Sequence, residues 1–159
     1  TSGAAGSGRY ANFLMKQGRM MKTYELTVEA TLDNLTLVTA FLEEHLEEAD
    51  CPLKAQMQVG IAAEEIYVNI AHYAYTPETG MATVRLELPD DSPFITLSFI
   101  DSGVPFDPLK KPDPDVSLPA EEREIGGLGI YMTKKVMDNA QYEYRDGQNI
   151  LTLKKRLRV

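Results

Sequence analysis

Cysteine is almost absent from this chain, positive charge is scarce, and no long apolar run occurs. The single cysteine, Cys51, cannot close an internal disulfide and fits a reducing cytoplasm. Standing before Pro52, it reads as a small, semi-buried residue and by itself marks no metal site. No stretch of 18 apolar residues is present, which excludes a membrane-spanning helix, and no secretory apolar segment is seen. Lys and Arg number 16 against 24 Asp and Glu, a net charge of −8. The first twenty residues hold Arg9, Lys16 and Arg19 and no acid, so −8 less +3 leaves −11 from Met21 onward. So acidic a body excludes non-specific nucleic-acid binding. An anionic nucleotide remains open, because backbone amides, helix N-termini and Mg²⁺ supply positive field locally.

What is present is an ordinary globular composition: 159 residues, 43% hydrophobic and 25% charged, enough for one domain with a real core. Residues 1–20 open on TSGAAGSG, a flexible-linker composition, and are expected to be an appended leader or a disordered segment. One domain is expected over 21–159. Thr23–Ala30 alternates as a half-buried strand. Asp33 is placed to cap a helix to about Glu48 with Val38, Phe41, Leu42 and His45/Leu46 on one face. Pro52 suits the first turn of a second helix, which Thr76-Pro77 ends near Tyr75. Met81–Leu88 and Phe94–Ile100 alternate as strands. Residues 102–126 hold five prolines and no period, a loop long enough to be a functional lid. A third helix spans Gly127–Asp138, and a hairpin closes the chain around Asp146-Gly147. The order β-α-α-β-β-loop-α-β-β predicts an α+β two-layer sandwich, with a mixed, mostly antiparallel sheet and helices on one face.

Three segments carry candidate chemistry. On the second helix, Glu65 and Asn69 are four apart and share a face among Val59, Ile66 and Ile70. A polar pair there asks for partners, and a hydrated cation supplies them: an amide oxygen with phosphates and water suits Mg²⁺. Alone, the pair reads more readily as an ordinary surface i,i+4 hydrogen bond. Asp101-Ser102-Gly103 follows the apolar strand FITLSFI. Aspartate can accept from an exocyclic amine while glycine lets a planar base approach, although a plain turn has the same residues. Gly126-Gly127-Leu128-Gly129 ends the long loop and opens a helix, where free amides meet phosphate. It is neither a Walker A nor a Rossmann sequence.

In this order and spacing the three segments resemble the GHKL superfamily (gyrase, Hsp90, histidine kinase, MutL). EEIYVNIAHYAY, IDSGVPFDP and EREIGGLGIYMTKKVMD look like the small anti-sigma factor serine/threonine kinases of the SpoIIAB and RsbW type, over roughly residues 22–157. The resemblance implies a Bergerat fold, ATP and Mg²⁺. It implies Asn69 as Mg²⁺ ligand, Glu65 as catalytic base, Asp101 with Gly103 at the adenine, and Gly127, Leu128 and Gly129 at the phosphates. Arg123 is expected to reach the terminal phosphate. Lys134 and Lys135 are expected to face solvent. In the family a histidine often stands four residues after the asparagine; here that position is Tyr73, with His72 one earlier, about 100° around the helix. The activity implied is phosphorylation of a STAS-type antagonist protein, with a sigma factor as possible second partner, a homodimer paired through the N-terminal strand and helix, and no nucleic-acid or membrane partner. The alternatives are an ATP-dependent binding module without transfer, or a slow ATPase.

Overall fold

The computed structural model describes residues 7–16, 19–90, 92–110, 112, 117 and 128–157. Six strands form one sheet: β1 (Ser7–Lys16), β2 (Arg19–Glu29), β3 (Met81–Pro89), β4 (Phe94–Asp101), β5 (Asn139–Arg145) and β6 (Gln148–Arg156). Their order across the sheet is β1-β2-β3-β4-β6-β5, and the described pairings are all antiparallel. Strand β1 lies within the 1–20 segment and pairs with β2 from Ser7↔Thr27 to Lys16↔Arg19. The sheet is therefore one strand wider than hydrophobic alternation foretold.

Helices α1 (Leu35–Glu48), α2 (Leu53–Tyr73) and α3 (Leu128–Val136) complete the sandwich. Register explains why they share one face. Leu26, Val84, Phe99 and Leu151 stand in one cross-strand row, and Leu86, Leu97 and Leu153 in the next, all buried. With a period of two, every second residue of each strand points the same way. From α1, Val38, Phe41 and Leu46 close over this surface, and from α2, Val59, Ala62 and Ile66. Each fully buried large side chain contributes about 1.5–3 kcal/mol of transfer free energy, so the core dominates the stability.

One local detail differs from expectation. Asp33 does not cap α1: it sits inside a single 3₁₀ turn, Leu32–Asn34, and Asn34 occupies the cap position without a side-chain cap bond. The Asn34 amide instead donates to Glu29 O at 2.8 Å, tying the helix entry to the end of β2. Tyr67 does similar work from α2. It is fully buried, and its hydroxyl donates to Thr31 O at 2.5 Å and lies 3.2 Å from Glu29 O. Burial raises its phenol above the ordinary value of 10. The last hairpin forms as expected. Asp146 and Gly147 both take positive φ, 54° and 78°, which a two-residue turn between twisted strands requires.

Candidate functional site

Aspartate 101 continues the alternation of Leu97 and Phe99, so its side chain faces the helices although it is polar. It is 7% exposed. Directly opposite it in the register stands Asn149 of β6, also buried. The Asn149 amide donates to Asp101 Oδ1 at 2.9 Å, and Gly103 N donates to the same oxygen at 2.9 Å. Both bonds go to Oδ1. Among the described residues none goes to Oδ2.

The chain after Asp101 is pinned at both sides. Val104 N donates to Ala74 O at 3.0 Å, and a Cβ added at Gly103 would overlap that carbonyl, so only glycine fits there. Ser102 N donates at 2.7 Å to the Tyr75 hydroxyl, which donates on to Met81 O at 2.6 Å. From the other side, Asn149 Nδ2 donates to Val104 O at 2.9 Å, and Asn149 Oδ1 accepts from Phe106 N at 3.1 Å and from the Tyr142 hydroxyl. Burial raises the Tyr75 phenol, and Asp101 adds to the effect. Burial also raises Tyr142, with Asp107 and Asp101 adding, so it remains a neutral donor.

This pinned segment walls a cavity of about 490 Å³, within the range of small-molecule sites. Ile66, Ile70 and Phe99 give it apolar sides, Asp101 and Asn149 a polar floor, and Asn69 an amide on one wall. Asn69 is half-buried on α2. One turn earlier, Glu65 sits against the start of α3: a Cβ added at Gly129 would overlap its carboxylate. Gly129 thus admits the Glu65 side chain at a helix N-terminus, where amides and the helix dipole also favour anions.

Of the expected site residues, Asn69 and Asp101 line the cavity, Gly103 precedes the lining residue Val104, and Glu65 meets Gly129 beside the lining residue Ile130. Leu128 begins α3, and its side chain, with Arg123 and Gly127, lies outside the described residues. Lys135 is exposed, 5.3 Å from the Tyr131 ring, and Lys134 is half-buried. His72 is exposed and does not line the cavity, whereas Tyr73 does, although it is 68% exposed. Sequence reasoning missed Asn149 and Tyr142. A polar residue on the apolar face of β6, in step with Leu151 and Leu153, was the available sign of Asn149.

An Mg²⁺ ion is tested by its donors. Among the described residues no three His, Cys, Asp or Glu side chains converge. An ion that keeps its waters and takes most ligands from phosphates needs only one or two protein oxygens. The Asn69 amide on the cavity wall, one turn from Glu65, fits that demand.

Fold and cavity together define a small α+β ligand-binding domain. Residues 28–155 match the Histidine kinase-like ATPase domain family, and the chain belongs to that family. It is 29% identical to the serine/threonine-protein kinase BtrW of Bordetella bronchiseptica, over 82% of this chain and 90% of that protein. It is 32% identical to the serine-protein kinase RsbW of Bacillus cereus, over 59% of this chain and 60% of that protein. Among solved structures, the RsbU and RsbW domains of Rv1364c from Mycobacterium tuberculosis share the fold, with a TM-score of 0.59 and 21% identity. That likeness covers 84% of this chain and 32% of the other.

Proposed function

We propose that this chain is an ATP-dependent serine/threonine protein kinase of the anti-sigma type, which phosphorylates a STAS-type antagonist protein and has a sigma factor as a second partner. The kinase names of the relatives support the reaction class. The observation that carries the reading is the arrangement of Asp101 deep in the cavity, Asn69 on its wall, and Glu65 against Gly129 at the start of α3. Adenine enters the apolar pocket and donates its exocyclic amine to Asp101. The triphosphate runs toward Asn69 and the start of α3, where Gly127, Leu128 and Gly129 offer backbone amides and Arg123 reaches the terminal phosphate. Asn69 would hold Mg²⁺, whose charge neutralises the phosphates when bound.

Glu65 accepts the proton of the acceptor hydroxyl. The hydroxyl oxygen forms a bond to the γ-phosphorus, the bond from that phosphorus to the bridging oxygen breaks, and ADP leaves. A carboxylate in this place favours chemistry, transfer or hydrolysis, over passive nucleotide binding. We place the protein in the cytoplasm as a homodimer, which light scattering tests. The decisive experiment incubates the chain with labelled ATP, Mg²⁺ and a STAS-type antagonist protein. Label on the antagonist that disappears with Glu65→Ala supports the reading. Absence of label, or undiminished label in the variant, refutes it; steady phosphate release without the antagonist would mark an ATPase instead.

A further inference from the structure

Another concavity among the described residues lies between α1 and α2 and shares no lining residue with the nucleotide cavity. It holds about 430 Å³. Leu42, Leu46 and Ala63 form its base, and Leu53 and Met57, 72% and 61% exposed, stand at its lip. Large apolar side chains held in water beside a groove mark an interaction surface more than solitary exposure does. Exposed Glu43 and Glu47 of α1 and Glu64 of α2 rim it, and no lysine or arginine lines it.

Gly60 supplies an independent observation. It stands inside the 21-residue helix α2, where glycine is less favourable than alanine. Neither crowding nor a left-handed backbone asks for it: a Cβ added there would meet nothing within 4 Å. What the missing side chain does is keep the groove open, since Gly60 is part of its lining. Stability is given up in a place where only an incoming group makes use of the space.

We propose that this groove is a docking site for an amphipathic helix of a partner protein, with apolar residues at i, i+4 and i+7 facing Leu42, Leu46 and Met57, and flanking Lys or Arg facing Glu43, Glu47 and Glu64. Helix, because both walls are helices with their backbone groups already paired, so they offer no strand edge for augmentation. Cationic, because the charged residues lining the groove, Glu43, Glu47 and Glu64, are all acidic. A second copy of this chain would bring the same acidic rim against it, and an anionic lipid surface would be repelled for the same reason. The proposal stands apart from the phosphoryl-transfer reading, since it uses none of those residues.

The test uses the full chain and a fluorescein-labelled helical peptide with leucines at those spacings and lysine flanks, against a twin with glutamate flanks. Anisotropy should show the lysine peptide binding about tenfold or more tightly than its twin, weakening as salt rises. Gly60→Leu fills the groove and should weaken the lysine peptide about tenfold, whereas Gly60→Ala should weaken it less and melt no lower than the wild type. The paired change Glu43→Lys with Glu47→Lys should invert the preference toward the glutamate peptide, and it serves where Gly60→Leu fails to fold. Equal binding of the two peptides overturns the proposal, as does no binding of the lysine peptide. So does a folded Gly60→Leu that binds like the wild type. A wild-type dimer that Gly60→Leu dissociates would assign the groove to a second copy and overturn it too.

Discussion

Replacing Asn149 by alanine should damage fold and nucleotide binding together. The side chain donates to Asp101 Oδ1 and Val104 O, each at 2.9 Å, and accepts from Phe106 N at 3.1 Å and from the Tyr142 hydroxyl. A neutral hydrogen bond contributes roughly 0.5–1.5 kcal/mol net, and one to a carboxylate about 1.5–3. These do not simply add. Val104 and Phe106 are exposed, so their backbone groups can turn to water. Asp101, 7% exposed, cannot, and loses one of two donors to Oδ1. The expected cost is about 2–4 kcal/mol, read from urea unfolding with an unchanged m-value. Because the 102–106 segment walls the cavity, ATP affinity measured by calorimetry should fall about tenfold as well. A stability loss under about 1 kcal/mol, or ATP binding at wild-type strength, would refute the claim that one amide joins the sheet to the cavity wall.

Three further outcomes follow from the same geometry. Asp101→Asn keeps an oxygen for Gly103 N but presents an amide to the adenine amine, so ATP affinity should drop about 10–100-fold with little change in melting temperature. Gly129→Ala pushes a methyl into the Glu65 carboxylate, and phosphoryl transfer should fall about a hundredfold while a nucleotide-release assay shows a smaller change in ADP binding. Tyr67→Phe should cost about 1–2 kcal/mol through the lost bonds to Thr31 and Glu29. Its pH dependence has a definite sign. Burial lifts the Tyr67 phenol above 10, so its contribution is complete below pH 10 and drains away as pH rises toward the folded value. Unfolding curves from pH 9 to 11 should slope less steeply in Tyr67→Phe, and equal slopes would refute it.

The fold was legible where period and burial agreed. The strand alternation, the buried faces of α1 and α2 and the Asp146-Gly147 turn each follow from one local rule that the sheet then obeys. Ser7–Lys16 escaped because its pairing with β2 is a property of two segments, and it carries no strong alternation of its own. Asp33 misled for a related reason. Its spacing suits a cap, but the chain leaves β2 through a 3₁₀ turn that puts Asn34 at the cap position, with its amide turned back to Glu29 O. In the site, Glu65, Asn69 and Asp101 were visible because each breaks an apolar pattern within its own element. Asn149 breaks one too, yet it stands two residues past the Asp-Gly turn, where asparagine passes for turn chemistry. Its function depends on register: only the pairing of β4 with β6 sets it opposite Asp101.

That opposition has a consequence for how the protein opens. Asp101 and Asn149 form the last rung of the β4–β6 ladder, so the Asp101 end of the cavity comes apart only when β4 parts from β6 at that rung. The phosphate end depends on α3 docking against Glu65 of α2, a contact that leaves the ladder untouched. Amide exchange should therefore separate the two ends: slower exchange near Asp101, where the sheet must open, and faster exchange at the start of α3. Nucleotide would then be held by a fixed grip at its base and an adjustable one at its phosphates, so that ATP and ADP differ chiefly in what they do to the second.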